Sequence, residues 1–218
     1  MIIAIDGPSG SGKSTLARTL AQRLNLQVLD TGAMYRAITW LALDAQADLL
    51  DETAVAALAH SAELSMTDGV IVNGVDVTAE IRAPRVTGLV SQVAAIPGVR
   101  AELVQRQRAW AVEHEGGIVE GRDIGTVVFP DATVKVYLDA TTDVRAERRE
   151  AQDDGAESAG SVQATAEALV RRDELDSTRS TSPLRAADDA IRLDSASNSP
   201  MELVEQVLEV LRARGINV

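Results

Sequence analysis

Apolar residues fill positions 1–5, Met1-Ile2-Ile3-Ala4-Ile5, and stop at Asp6. A short unbroken run of this kind reads as a strand buried on both faces. Leu16, Leu20 and Leu24 then recur at helical spacing, so residues 14–24 are expected to form a helix. A second short strand at 27–29 precedes helices over 32–45 and 52–60. The texture changes in "LSMTDGVIVNGVDVTAEIR", where three short β-rich pieces meet at Asp68-Gly69 and Asn73-Gly74. Both dipeptides favour tight hairpin turns, which predicts a small antiparallel insert.

Helical pattern resumes over 86–95 and 99–114, strands follow at 117–119 and 134–138, and another helix begins near Thr142. The segment "DDGAESAGSV" (153–162) is small, polar and glycine-containing, which predicts a mobile loop. A helix over 163–174 and a strand at 191–193 come next. The last helix opens on Ser199-Pro200-Met201-Glu202, a capping box with proline at the first helical position. Strands alternating with helices indicate an α/β fold with a parallel sheet covered on both faces. No internal repeat interrupts this order.

With 218 residues, 45% of them hydrophobic, the chain can bury one substantial core. No run approaches the roughly 18 apolar residues of a membrane helix, and the N-terminus lacks a secretory layout, so a cytoplasmic protein with no membrane partner is expected. Cysteine is absent, and His60 and His114 both lie in polar helical sequence, which disfavours thiolate and imidazole metal sites. A net charge of −12 argues against a broad nucleic-acid surface, so any anion site must be local. Of the 21 basic residues only Lys13 and Lys135 are lysines. Arginine forks grip phosphate in bidentate fashion.

Between the first strand and its helix lies "GPSGSGKST": Gly7, Pro8, Ser9, Gly10, Ser11, Gly12, Lys13, Ser14 and Thr15. Gly7, Gly12, Lys13 and Ser14 satisfy the P-loop pattern in its required strand-loop-helix setting. Backbone N–H groups of such a loop cradle a triphosphate, Lys13 would reach the β- and γ-phosphates, and Ser14 would offer its hydroxyl to Mg2+. The second substrate is not named by this loop. No Asn-Lys-x-Asp motif marks a GTPase, and Leu49-Leu50-Asp51-Glu52, the one approach to an apolar strand ending in Asp-Glu, lies in helical sequence. A small-molecule phosphotransferase is the class left standing.

Arginines gather at segment ends: Arg36, Arg82, Arg100, Arg122, Arg148, Arg149, Arg172 and Arg179. In an acidic chain they suggest a focused site for two anionic substrates. A hydroxyl acceptor would call for a carboxylate base. A phosphate acceptor, whose second ionisation lies near a pKa of about 6, already supplies a nucleophilic oxygen at neutral pH.

The blocks "IDGPSGSGKST", "LDTGAMYRA", "VTAEIR", "SQVAAIPGVR", "RQRAW", "GRDIGTVVFPDA", "KVYLDA", "RRDELDSTR" and "SPL" follow one another in an order that resembles the bacterial cytidylate kinases over essentially the whole chain. The resemblance implies a P-loop three-layer fold with a five-stranded parallel sheet, in one kinase domain over 1–218. It also implies an NMP-binding insert near 61–96 and a mobile lid near 148–165. The implied reaction is direct transfer of the γ-phosphoryl of ATP to CMP, and to dCMP, with Mg2+. Residues matching Thr31, Ser91, Arg100 and Asp123 read the base in that family. Aspartate accepting from the cytosine amine and arginine donating to N3 and O2 make physical sense of this, and uracil would oppose both.

Arg36, Arg122 and Arg179 match positions that hold the acceptor phosphate, while Tyr35, Arg172 and Asp176 match positions along the sugar. Arg148 and Arg149 look like lid arginines that meet ATP, and Arg172 and Arg179 match groups that also contact the transferring oxygens. Lid closure would exclude water. The resemblance further implies a monomer and no nucleic-acid partner. A UMP or AMP kinase would keep the P-loop and arginines around a different base pocket. A nonenzymatic nucleotide-binding regulator would keep Lys13 without needing the acceptor arginines. Glu120, which ends the strand before Arg122 where the family often has aspartate, has no assigned role at this level.

Overall fold

A computed structural model of the protein describes residues 1–67, 69–153 and 162–218. In chain order its elements are β1 (Ile2–Asp6), α1 (Lys13–Leu24), β2 (Val28–Asp30), α2 (Thr31–Asp44), α3 (Glu52–Ser61), β3 (Leu64–Ser65), β4 (Ile71–Val72) and β5 (Val75–Asp76). They continue with α4 (Pro84–Thr87), α5 (Val90–Ala95), α6 (Pro97–Glu113), β6 (Gly117–Gly121), β7 (Val134–Asp139), α7 (Thr142–Asp153), α8 (Val162–Thr178), β8 (Ile191–Asp194) and α9 (Pro200–Ala213).

Five strands form one parallel sheet in the order β2-β6-β1-β7-β8. Ile3, Ala4 and Ile5 of β1 and Ile118 and Val119 of β6 have no exposed surface, as their unbroken apolar runs require. On one face Leu16 and Leu20 of α1 join Val204, Val207, Leu208 and Leu211 of α9. On the other, Ile38 of α2, Val55 of α3, Val93 of α5 and Leu103 of α6 meet Leu29 and Val119. Because β1 is central and the chain fills both sides of it, the crevice at the carboxyl ends of β1 and β6 is where such sheets take ligands. Strand register places Asp30 opposite Glu120, and Asp6 opposite Gly121, along that edge.

The insert forms as expected: β3-β4-β5 make a separate antiparallel sheet. Its Asn73-Gly74 turn has positive φ at both residues (50° and 80°), the requirement of a tight hairpin whose twist matches its strands. Val70, Val72, Val77, Ile81 and Val86 pack on Ala33, Ala37 and Trp40 of α2. Burying Ile81 completely stabilises this contact by roughly 1.5–3 kcal/mol.

The capping box at α9 is complete: Ser199 Oγ accepts from Glu202 N, and Glu202 Oε2 accepts from Ser199 N at 2.7 Å. The single helix expected over 86–95 is instead two, α4 and α5, parted at Gly88 and Leu89. The pattern gave no sign of the short 3-10 turn Glu80–Arg82 or the π-turn Ile124–Val128. Most of the loop expected at 153–162, and with it much of the lid expected at 148–165, lies outside the described residues. Among the described residues no helix is long and apolar enough to cross a membrane.

Candidate active site

The loop after β1 turns back sharply over the sheet edge. A Cβ on Gly7 would stand 2.1 Å from the Leu138 carbonyl oxygen, so the backbone there passes where no other side chain fits. Lys13, at the start of α1, donates from Nζ to the carbonyls of Gly7 (2.9 Å) and Pro8 (2.7 Å). Burial, then the field of Arg122, lowers its pKa to about 7. An anion beside it would reverse that shift. Ser9, Gly10, Gly12, Lys13, Ser14 and Thr15 line a cleft of about 1150 Å³. Gly7, Pro8 and Ser11 are not part of its lining; these loop residues are buried, and Ser195 Oγ donates to Ser11 O at 2.8 Å.

Ser14 Oγ donates to Glu120 Oε2 at 2.9 Å, which gives Glu120 a place in the same cleft. Burial first, and the neighbouring Asp30 second, push the Glu120 carboxyl upward. Thr31 Oγ1 donates to the Glu120 carbonyl (2.7 Å), so its hydroxyl is engaged with the strand end. Gly121 leaves room for this bond, since a Cβ there would lie 2.7 Å from Thr31 Oγ1 and from the Ile124 side chain. Among the described residues no group of three or more His, Cys, Asp or Glu side chains is arranged to hold a metal.

Across the cleft, Asp123 is buried between two arginines: Arg100 Nη2 donates to its Oδ2, and Arg179 Nη2 lies 3.5 Å from its Oδ1. Burial raises the Asp123 carboxyl despite these two cations. Arg100 also donates to Ala94 O (3.2 Å) and stands 5.5 Å over the Tyr35 ring. Asp176 of α8 joins three elements, accepting from Ser91 Oγ of α5 (2.9 Å) and from Arg122 Nε after β6 (3.0 Å). Burial pushes the Asp176 carboxyl up, but Arg122 and Arg172 bring it net below its ordinary value. Arg36 pairs with Asp30 at 3.1 Å. Arg172 Nη1 lies 3.4 Å from Ser9 Oγ, and burial with Arg122 nearby lowers its pKa to about 10.

All of the expected base, sugar and phosphate residues therefore line this one cleft: Thr31, Tyr35, Arg36, Ser91, Arg100, Arg122, Asp123, Arg172, Asp176 and Arg179. Arg148 and Arg149 line it too, with Arg148 tied to Ser195 Oγ (2.9 Å) and Ser195 O (2.6 Å). Among the described residues, four buried guanidinium nitrogens have no hydrogen-bond partner: Nε of Arg36, Arg100 and Arg172, and Nη2 of Arg179, which has only the longer ion pair with Asp123. Buried donors of this kind cost free energy until an acceptor meets them, and anionic oxygens are the acceptors that guanidinium favours. A second cavity, about 540 Å³ and bordered by Met1, Val112 and Phe129, contains none of these residues.

Sequence reasoning missed the supports. Asp6 accepts from Ile124 N and Gly125 N, both at 2.7 Å, and fixes the chain just after Asp123. A lone carboxylate ending a buried apolar run was the available signal. Arg145 pairs with Asp173 at 2.5 Å and donates to Ser9 O at 3.1 Å, hanging α7 and α8 on the P-loop. Its signal was its place one helical turn before Arg148. Ser195 offered none.

A family model for cytidylate kinase matches residues 3–213. Cytidylate kinase of Streptomyces avermitilis is 46% identical over 220 residues, covering 98% of this chain and 94% of its own. That of Corynebacterium efficiens is 48% identical over 218 residues, covering 98% and 95%. Among solved structures, an uncharacterized protein from Eubacterium ventriosum has a TM-score of 0.55 at 10% identity, covering 97% of this chain and 98% of its own, which speaks to the fold alone. Both sequence relatives cover nearly all of the chain that folds around the P-loop and the arginine-lined cleft, and the protein belongs to the cytidylate kinase family, phosphotransferases acting on CMP.

Proposed function

We propose that the protein transfers the γ-phosphoryl of ATP to CMP, and to dCMP, in one in-line step. The observation that carries this reading is the set of buried guanidinium nitrogens without hydrogen-bond partners on Arg36, Arg100 and Arg172, residues that line one cleft with the P-loop. A 5′-phosphate oxygen of the acceptor attacks Pγ, the new O–P bond forms as the bond from Pγ to the β,γ-bridging oxygen breaks, and ADP leaves. No covalent enzyme intermediate is required. Positioning and charge stabilisation supply the rate.

Lys13 and the loop N–H groups take the donor phosphates, with Arg148 and Arg149 beside them. Arg36, Arg122 and Arg179 take the acceptor phosphate, and Arg122, Arg172 and Arg179 offset charge on the transferring oxygens. Asp123 and Arg100, with Ser91 and Thr31, read cytosine; Tyr35, Arg172 and Asp176 flank the sugar. The Ser14 hydroxyl and the Glu120 carboxylate fit a Mg2+ site of the kind that keeps several waters and is completed by nucleotide phosphates. When bound, Mg2+ would neutralise charge on the β- and γ-phosphates. In this reading the chain is one kinase domain, with an NMP-binding insert near 61–96 and a lid near 148–165, working as a cytoplasmic monomer.

A coupled ADP-release assay with CMP, dCMP, UMP and AMP tests the reading. Turnover is expected with CMP and dCMP and to be weak with UMP and AMP. Absence of CMP-dependent turnover overturns it.

A further inference from the structure

Ser195 is the first residue past β8, and it is buried, with 4% of its surface exposed. Its N–H donates to the carbonyl of Asp139, the last residue of β7, at 2.9 Å, so the sheet edge itself fixes its backbone. Asp194 stiffens the turn that follows, accepting from Ala196 N at 2.8 Å and from Ser197 Oγ at 2.6 Å. The Ser195 hydroxyl lies 2.8 Å from Ser11 O, in the middle of the P-loop, and 3.1 Å from Asp139 O. Arg148 Nη1 donates to Ser195 Oγ at 2.9 Å, and its Nη2 donates to Ser195 O at 2.6 Å. One residue thus takes both arms of the guanidinium.

A hydroxyl carries one proton and two lone pairs. With the proton directed to Ser11 O, Ser195 Oγ accepts from Arg148 with a lone pair, and a single atom ties the P-loop backbone to the arginine. Both acceptors on Ser195 are neutral, and among the described residues Arg148 forms no ion pair. Its charge is therefore held in place without being cancelled. It is held beside the loop, since a Cβ on Gly12 would stand 3.7 Å from Arg148 Nη1. An oriented, uncompensated cation next to a phosphate cradle is a preorganised anion contact. We infer that Ser195 is a positioning residue of the donor site, setting the Arg148 fork against the P-loop before ATP arrives. This rests on the assignment of Arg148 to ATP above. Arg148 is then part of the fixed wall of the donor site, anchored through Ser195 to the ends of β7 and β8.

Titration calorimetry of ATP against the full chain tests this, with Ser195→Ala, Arg148→Ala, the double variant and Arg148→Lys. Ser195→Ala is expected to weaken ATP binding about 5- to 30-fold, the loss of one acceptor from a charged donor, while the KM for CMP stays within about twofold. In the Arg148→Ala background the same serine change should weaken ATP by less than about twofold, because its effect passes through the arginine. Arg148→Lys keeps the charge but lacks the fork that meets both oxygens of Ser195, so it should lose most of what Arg148→Ala loses. Unchanged affinity in Ser195→Ala or in Arg148→Lys overturns the inference. An equal loss from Ser195→Ala in both backgrounds also overturns it, since the effect would then lie in the P-loop alone. If Arg148→Ala itself binds ATP unchanged, the donor assignment of Arg148 falls, and the inference with it. The titrations need no turnover, so their outcome is separate from that of the CMP assay.

Discussion

Ser14 donates its hydroxyl to Glu120 across 106 positions of sequence, at 2.9 Å, joining the first turn of α1 to the end of β6. Glu120→Gln keeps a hydrogen-bond acceptor there and removes the charge. The Mg2+ concentration for half-maximal rate is expected to rise by about tenfold or more, with the metal-free affinity for ATP within about threefold. A Mg2+ titration of the rate checks this, and an unshifted half-maximum would limit Glu120 to holding Ser14.

Asp123 lies between Arg100 and Arg179 with its carboxylate buried. Asp123→Asn should lower kcat/KM for CMP by about 10- to 150-fold, the range expected for losing a charged hydrogen bond to the base. The affinity for ATP should move by less than about threefold. Calorimetric ATP binding set beside steady-state kinetics decides the matter: equal losses on both sides would make Asp123 a structural residue.

Lys13 has a pKa of about 7 because burial and Arg122 disfavour its charge. Triphosphate restores the charged form, so ATP binding should take up a proton above pH 7, and affinity should decline from pH 7 toward pH 9. Titration calorimetry in buffers of different ionisation enthalpy reads the uptake directly. Binding heats independent of buffer at pH 8 would exclude it.

Burial raises the Asp6 carboxyl to about 6, against the two backbone bonds that favour its charge. Since folding raises this pKa, the stability that Asp6 contributes is fully present below its ordinary value of 3.8 and is lost as pH rises through about 6. Use of CMP should run the other way. Protonation occupies an oxygen that accepts from Ile124 or Gly125, so the KM for CMP should climb as pH falls below 6. NMR titration of the Asp6 carboxyl carbon checks the midpoint, and a value near 4 would contradict it.

Local pattern carried much of the architecture into view. The run 1–5, the P-loop and the Leu16-Leu20-Leu24 spacing define β1 and α1, and Asn73-Gly74 marks its own hairpin. What escaped depends on contacts between distant residues. Apolar spacing continues through Val86, Val90 and Val93, which hides the break at Gly88 and Leu89. The residue types of the site were legible, but not their pairing. Nothing along the chain says that Arg100 meets Asp123, that Ser91 meets Asp176, or that Arg145 reaches Ser9. Such partners are chosen when helices dock on the sheet.

The Asp6 bond is made to backbone N–H groups and takes no account of the side chains at Ile124 and Gly125. The segment that carries Asp123, the base reader in the reading proposed above, is thus seated in a socket indifferent to much of its chemistry. A designer wishing to change which nucleobase is accepted could alter Asp123 and Arg100 while keeping this mount. Asp6 is the residue such a redesign would have to leave alone, although it is not among the residues that line the cleft.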